Sequence, residues 1–172
     1  AFDSVAVGPG IGIDNDDWEK AKDILAGFEG LLILDADALN RISESKLCSK
    51  FFLERRFKTW ITPHSKEFSR LFPNIKCETN VEKALNAAQE FNISVLLKGA
   101  NSIVADNKKA WQLFGTDSQT ARAGLGDILS GFVAGISAID LTFGGDITTE
   151  LFAKYVLLSL IHISEPTRQD SI

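Results

Sequence analysis

The sequence is poor in the residues that build disulfide frameworks and histidine metal sites. Only two cysteines, Cys48 and Cys77, and two histidines occur among 172 residues. Neither cysteine has a Cys-x-x-Cys partner or a histidine close in sequence, which favours reduced thiols of a cytoplasmic protein over a disulfide or a zinc site. No apolar run approaches the roughly 18 residues that a membrane-spanning helix requires. No metal site with direct protein ligands is therefore assigned, and a membrane protein is not expected.

An excess of positive charge is also lacking. Lys and Arg number 18 against 23 Asp and Glu, which gives a net charge of -5, and the basic residues do not cluster. This balance argues against nucleic acid or an anionic membrane as the main partner. What the chain does have is a hydrophobic content of 45%, which is enough for one globular domain with a sizeable core.

Both ends of the sequence are unusual. Methionine is absent, and the chain opens on Ala1 directly before a strand-like run. We therefore expect residues 1–157 to form an incomplete domain. The segment LSLIHISEPTR, residues 158–168, matches one reading frame of a common transposon-based sequencing adapter. Residues 158–172 are accordingly interpreted as a non-native tail, and the alternative is an amphipathic helix that ends at Pro166.

Strand-like and helix-like segments alternate along the chain. Short β-branched or continuous apolar runs that end in turn or polar residues occur in SVAVGPG, LLILDADAL, TWITPH and SVLLKGA, and helical spacing occurs in DNDDWEKAKDILAGF, NVEKALNAAQEF and GDILSGFVAGISAI. The run LLIL is apolar throughout, as expected for a strand buried on both faces. SIVAD and AWQLF flank NKK, which predicts a hairpin. The order predicts an α/β fold with a largely parallel central sheet flanked by helices.

Glycines and polar residues collect where the predicted strands end, and ligands of such sheets bind beyond the carboxyl ends of the strands. The clusters are VGPGIG (residues 7–12), DADALN (35–40), TPHSKE (62–67) and KGANS (98–102). Each also has an ordinary structural explanation. The glycines could form a tight turn, Asp35 and Asp37 could be solvated loop acids, His64 could be structural, and Lys98 could be an exposed lysine of a turn. Alternatively, the two acids could orient a metal-bound phosphate or a hydroxylated ligand.

A fifth cluster, ARAGLGDILSG at residues 121–131, combines two glycines with an acid at a predicted helix start. Gly124 and Gly126 allow a ligand to approach the backbone closely, and the amide groups of a helix N-terminus bind anions such as phosphate. Taken alone, this cluster favours Asp127 as the cap of the helix, a common role for Asp. The acid therefore has either a structural or a chemical role, and the sequence pattern leaves both open.

In their order along the chain, DADALN, TPH, LKGA and GLGDILSG, supported by GPGIG, resemble one family closely. It is the nucleotide-dependent NAD(P)H-hydrate dehydratase family of the ribokinase-like superfamily, and the resemblance runs from Val5 to about Ala138. It implies a ribokinase-like fold and a metabolite-repair lyase, which dehydrates the S-epimer of hydrated NADH or NADPH with ADP or ATP and Mg²⁺. The implied partners are these small molecules. A homo-oligomer is also expected, and the sequence leaves open whether an epimerase domain precedes Ala1, as it does in many bacterial relatives.

The resemblance also implies a role for each site residue. Asp127 is the general base that takes the proton of the ring hydroxyl, whose oxygen attacks the terminal phosphate of the nucleotide, and phosphate then leaves. The implied substrate-binding residues are Gly12, His64 and Asp127. The implied nucleotide-binding residues are Lys98, Gly99, Ala100, Asn101, Ser102 and Gly126. Supporting positions are Gly8, Gly10, Asp35, Asp37, Asn40, Arg122 and Gly124.

Two other functions remain open. A ribokinase-like kinase for vitamin precursors shares the Gly-x-Gly-Asp pattern and would release a stable phosphorylated product. A non-catalytic nucleotide-binding domain would bind ADP without converting hydrated NADH. The clusters DADALN and TPH favour the dehydratase.

Overall fold

A computed structural model describes residues 3–12, 15–44, 48–113 and 131–135. The strands are β1 (Ser4–Val7), β2 (Leu31–Leu34), β3 (Thr59–Ile61), β4 (Ser94–Leu97), β5 (Ile103–Ala105) and β6 (Ala110–Gln112). The helices are α1 (Asn15–Gly27), α2 (Ala36–Glu44), α3 (Cys48–Glu54), α4 (Ser65–Leu71) and α5 (Asn80–Phe91). Residues 131–135 are also helical.

The six strands form one sheet in the order β1-β2-β3-β4-β5-β6. Strands β1 to β4 are parallel, and β5 and β6 continue the sheet as an antiparallel hairpin. The predicted α/β fold with a largely parallel sheet is therefore confirmed, as is the hairpin around NKK. Helices α2, α3 and α4 are not marked by the sequence pattern, because α2 begins inside the polar cluster DADALN and α3 and α4 are each only 7 residues long.

Strand β2 shows how the sheet divides the core in two. All four of its residues are buried, which confirms the prediction for LLIL. Because successive side chains of a strand point to opposite faces, Leu32 and Leu34 pack in one cluster with residues of helices α1 to α5, and Leu31 and Ile33 pack in a second cluster with Val133. The sheet is thus covered on both faces, which is typical of parallel sheets.

Arg55 connects the end of α1 to the starts of β2 and β3, at the end of the sheet where the parallel strands begin. Its guanidinium donates hydrogen bonds to the carbonyl oxygens of Leu25 (2.7 Å), Phe28 (2.6 Å) and Gly30 (2.6 Å) and to Oγ1 of Thr59 (2.9 Å). These acceptors end α1 and begin β2 and β3. Arg55 is only 6% exposed, and this burial lowers the pKa of its guanidinium from the ordinary value. A cation at the carboxyl end of a helix is favourable, so Arg55 stabilises the turn from α1 into β2.

Gly8 permits a close approach of β1 to β2 at the opposite end of the sheet. Its φ of +140° suits glycine alone, and a Cβ atom at this position would lie 1.7 Å from the carbonyl oxygen of Asp35. Gly10 also has a positive φ, +69°, but no atom lies within 4 Å of the Cβ it would carry. An alanine at Gly10 would suffer backbone strain alone, whereas an alanine at Gly8 would suffer both strain and steric overlap, so the two substitutions distinguish these effects.

We predict that Gly8→Ala lowers the free energy of unfolding by about 3 kcal/mol or more, because strain and overlap both act at this position. Gly10→Ala is the matched control and should cost about 1 kcal/mol, from the left-handed backbone alone. Urea denaturation of both variants measures the difference. Equal losses would contradict a steric role for Gly8.

Candidate functional site

Four of the five predicted clusters lie at one edge of the sheet. The parallel pairing of β1 to β4 brings the carboxyl ends of these strands together, so the predicted placement of the clusters at a common edge is confirmed. Backbone hydrogen bonds continue beyond the strands: the amides of Asp35, Thr62 and Lys98 donate to the carbonyls of Val7 (3.0 Å), Leu34 (3.1 Å) and Pro63 (2.8 Å). The spacing between the loops is therefore fixed by the backbone of the sheet.

Asp35 and Lys98 form an ion pair at the middle of this edge. The Lys98 Nζ atom lies 2.7 Å from Oδ1 of Asp35, and the side chains are 23% and 2% exposed. The interpretation of Asp35 as a solvated loop acid is therefore wrong, because its carboxylate is buried. The interpretation of Lys98 as an exposed turn lysine is also wrong, because its ammonium is partly buried against that carboxylate. The pair joins the residues that follow β2 and β4 and so spans β3.

The Asp35 carboxylate also holds the turn from β2 into α2. Its Oδ1 atom accepts a hydrogen bond of 2.8 Å from the amide of Ala36, a residue with the left-handed φ of +44°. This conformation is uncommon for any residue other than glycine and requires local support. Asp35 thus fixes both a strained turn and a lysine.

The glycine-rich loop is tied to the start of α2. The Ile11 amide donates to the Gly8 carbonyl (3.3 Å), which closes a tight turn. Gly12 has a φ of +73°, and its amide donates to Oδ2 of Asp37 (3.3 Å). The predicted substrate contact Gly12 and the acid Asp37 are therefore neighbours in space. Gly10 is exposed at the tip of the same loop.

Asn40 has a structural partner on the neighbouring helix. Its Oδ1 atom accepts a hydrogen bond of 2.9 Å from Nη1 of Arg70. The contact joins α2 to α4, so Asn40 connects the clusters DADALN and TPHSKE. Its predicted supporting role in the site remains a prediction.

His64 is the N-cap of α4. Its Nδ1 atom accepts from the amides of Lys66 (3.1 Å) and Glu67 (3.2 Å), and the Glu67 carboxylate accepts from the His64 amide (2.8 Å). This reciprocal pair is a capping box. Because Nδ1 accepts hydrogen bonds, the ring hydrogen is on Nε2, which lies 3.4 Å from the buried carboxylate of Glu67. The ring is half-exposed at 50%, so His64 caps a helix and still faces the edge of the sheet.

A cleft of about 530 Å³ lies beside the loop after β4. Its lining includes residues 98–101, Ser65, Gln112, and Thr79 and Asn80 at the start of α5. Thr79, Asn80 and Gln112 are not marked as site residues by the sequence pattern, although Thr79-x-x-Glu82 is a recognisable capping box. Hydrogen bonds from Thr79 lower the pKa of Glu82. The cleft therefore combines a cation, amide side chains and a helix N-terminus.

Several hydrogen-bonding groups of the loop after β4 are already bonded to other protein groups. The Lys98 amide donates to Pro63, and the Gly99 amide donates to Oγ of Ser102 (3.4 Å), which in turn donates to the Gly99 carbonyl (3.1 Å). Ser102 is buried at 5% exposure and supports the loop from within. Ala100 and Asn101 are exposed. The loop thus places Lys98, Ala100 and Asn101 along the cleft.

Four predicted site residues, Arg122, Gly124, Gly126 and Asp127, lie outside the described residues, and their roles remain predictions. Within the described ranges, no group of three or more His, Cys, Asp or Glu side chains could hold a metal ion. In the same part of the chain, no helix is long and apolar enough to cross a membrane. Cys77 is a free thiol, as predicted.

Comparison with known protein families shows that the family model for NAD(P)H-hydrate dehydratase matches residues 1–154. The bifunctional NAD(P)H-hydrate repair enzyme of Methanopyrus kandleri is 34% identical over 141 residues, which are 79% of this chain and 26% of that protein. Its Synechocystis counterpart is 36% identical over 138 residues, 80% of this chain and 26% of that protein. The chain thus spans about a quarter of the length of these relatives.

Solved structures show that the fold is ribokinase-like. A ribokinase-like superfamily protein from Enterococcus faecalis aligns with a TM-score of 0.66 at 21% identity over 95% of this chain and 64% of that chain. The ADP/ATP-dependent NAD(P)H-hydrate dehydratase from Bacillus subtilis, co-crystallised with ATP/Mg²⁺ and soaked with CoA, gives 0.63 at 21% over 95% and 67%. Hydroxyethylthiazole kinase from Pyrococcus horikoshii gives 0.62 at 22% over 91% and 59%. A dehydratase and a kinase share the fold, so the fold by itself does not choose the reaction.

The capping role of His64 can be tested by substitution. We predict that His64→Ala lowers the free energy of unfolding by about 1 kcal/mol, because the amides at the start of α4 lose their acceptor. His64→Asn should retain most of this stability, since the Asn side-chain oxygen is a good N-cap acceptor. Thermal and urea denaturation measure both variants. If Asn were as destabilising as Ala, capping would not be a stabilising role of this side chain.

Proposed function

The chain belongs to the NAD(P)H-hydrate dehydratase family, and on that premise we propose that it catalyses the nucleotide-dependent dehydration of hydrated NADH or NADPH. The substrate is the S-epimer, and the product is the restored cofactor. The observation that carries the proposal is the family match over residues 1–154, which includes all five motif clusters. The common edge at which four of those clusters lie supports it.

In this proposal the cleft beside the loop after β4 takes the phosphates of ADP or ATP. The cleft fits such a group because Lys98 supplies a positive charge and the exposed Ala100 and Asn101 border a volume of about 530 Å³. When bound, Mg²⁺ supplies charge neutralisation on the phosphates. It binds through phosphate oxygens and waters with only one or two carboxylates, so a cage of protein ligands is not required.

Three residues act on the hydrated nicotinamide ring. Gly12 presents backbone at a loop fixed by Asp37, and the half-exposed His64 presents its Nε2–H group as a hydrogen-bond donor. Asp127 acts as the general base, which takes the proton of the ring hydroxyl as its oxygen attacks the terminal phosphate. The Gly126 amide at the predicted helix start stabilises the transferred phosphoryl group. The nucleotide leaves with one phosphate fewer. Phosphate, a better leaving group than hydroxide, then departs from the ring together with a proton from the neighbouring ring carbon, and the ring regains its conjugation.

A ribokinase-like small-molecule kinase is the second candidate, and the shared fold with hydroxyethylthiazole kinase favours it. It differs in its product, because a kinase retains the phosphoryl group on the acceptor whereas the dehydratase releases free phosphate. A non-catalytic nucleotide-binding domain would produce neither.

The relatives also suggest further partners. Because they are bifunctional repair enzymes, we propose that the complete product of the source gene also carries an epimerase domain before the dehydratase domain. Homo-oligomerisation and the interpretation of residues 158–172 as a non-native tail remain predictions.

The complete product of the source gene should convert hydrated NADH to NADH when ADP or ATP and Mg²⁺ are present. Recovery of the NADH absorbance band together with release of inorganic phosphate measures the reaction. A stable phosphorylated product without recovered absorbance would establish the kinase. Nucleotide binding without either signal would leave a non-catalytic domain.

Asp127→Asn is the sharpest test of the mechanism. Asn keeps the shape and much of the capping ability of Asp but cannot accept a proton at neutral pH, so turnover should fall by about 10² or more. Nucleotide affinity and melting temperature should change little, because backbone amides hold the phosphates. Retained turnover would leave Asp127 as a helix cap and return the role of base to another group.

A further inference from the structure

The Asp35–Lys98 ion pair places a buried negative charge directly behind the cation of the cleft. Lys98 lines the cleft, and its Nζ atom lies 2.7 Å from the Asp35 carboxylate, whose side chain is only 2% exposed. A phosphate that approaches Lys98 therefore meets an ammonium that is already paired. The two residues follow different strands, β2 and β4, so the contact exists only in the folded protein.

The carboxylate is the fixed member of this pair. The Asp35 amide donates to the Val7 carbonyl, the Asp35 carboxylate accepts from the Ala36 amide, and Gly8 packs against the Asp35 carbonyl oxygen. Lys98, in contrast, carries its charge on a flexible four-carbon stem and is 23% exposed. A ligand in the cleft can therefore attract the ammonium, whereas the carboxylate stays in place.

We propose that Asp35 is a positioning residue, which holds the Lys98 ammonium at the carboxyl end of β4 and restrains it from full contact with the nucleotide phosphates. The inference rests on the proposed function. The restraint weakens binding of the nucleotide in its ground state and keeps the lysine where the transferred phosphoryl group develops charge. Interactions reserved for the transition state raise turnover, whereas equal binding of the ground state does not.

The test variant is Asp35→Asn in the complete product of the source gene. Asn keeps the side-chain volume and an oxygen that can accept from the Ala36 amide, but it removes the charge. We expect ADP to bind about fivefold tighter at low salt, since phosphates gain a cation without a counter-charge, and turnover to fall about tenfold, since the lysine is no longer positioned. If Asp35 had only a structural role, Asp35→Asn would lower ADP affinity and turnover together.

Asp106→Asn is the matched control. Asp106 lies in the turn between β5 and β6, at the other end of the sheet, and its carboxylate accepts from the amides of Lys108 and Lys109. The same change of charge there should leave ADP affinity unaltered. High salt should also abolish the gain in Asp35→Asn, because screening weakens charge effects.

The double variant Asp35→Asn with Lys98→Met tests the idea even if the single variant does not fold, because replacing both members of a pair leaves no unpaired buried charge. It should bind ADP within about twofold of the wild type, since the net charge of the pair is zero in both, and should lose turnover. A large loss of ADP affinity would mean that Lys98 contacts the phosphates unrestrained, and would overturn the inference.

Acylation of Lys98, followed by mass spectrometry with the exposed Lys108 as internal reference, reports on the pair without any nucleotide. Labelling should rise in Asp35→Asn. If the wild type binds ADP but Asp35→Asn binds it no tighter, or if labelling does not change, the inference alone is wrong. If the wild type binds no nucleotide, the proposed function fails and this inference fails with it.

Discussion

Parallel pairing of the four strands β1 to β4 is the constraint on which the candidate site depends. Parallel strands all end at the same edge, so residues far apart in sequence, such as Asp35 and Lys98, are brought into contact by the sheet. Burial of both faces of β2 leaves its carboxyl end as the place where a polar residue can enter without disturbing the core. Asp35 occupies that position, and its carboxylate is bonded to the Ala36 amide and the Lys98 ammonium.

The polar groups at this edge also stabilise the fold. The Asp35 carboxylate supports a left-handed turn, His64 caps α4, and Ser102 closes the loop after β4. Each group is therefore satisfied before a ligand arrives, as buried polar groups in proteins normally are. A ligand gains affinity here only where it offers a better partner than the protein does, which makes the charge balance between Asp35 and Lys98 important for binding.

The shared fold and the family match contribute different information. The ribokinase-like fold accommodates both a dehydratase and a kinase, so it does not determine the reaction. The family match over residues 1–154 is what favours the proposed dehydration over a kinase reaction. In the proposed mechanism the chemical distinction is small: after the same phosphoryl transfer, the acceptor of a kinase keeps the phosphate and the acceptor of the dehydratase eliminates it. The residues that contact the acceptor must therefore account for the difference.

The sequence by itself determined the parts that depend on local pattern. The apolar run LLIL, the hairpin around NKK and the helix NVEKALNAAQEF were all predictable because periodicity and turn residues act over short distances, and motif spacing placed the clusters at strand ends. Only the tertiary structure decided what the polar residues do. Asp35 and Lys98 are 63 positions apart, so no local pattern could reveal that they form an ion pair. The capping role of His64 was also hidden, because histidine is an uncommon N-cap and its geometry depends on the path of the chain after Pro63.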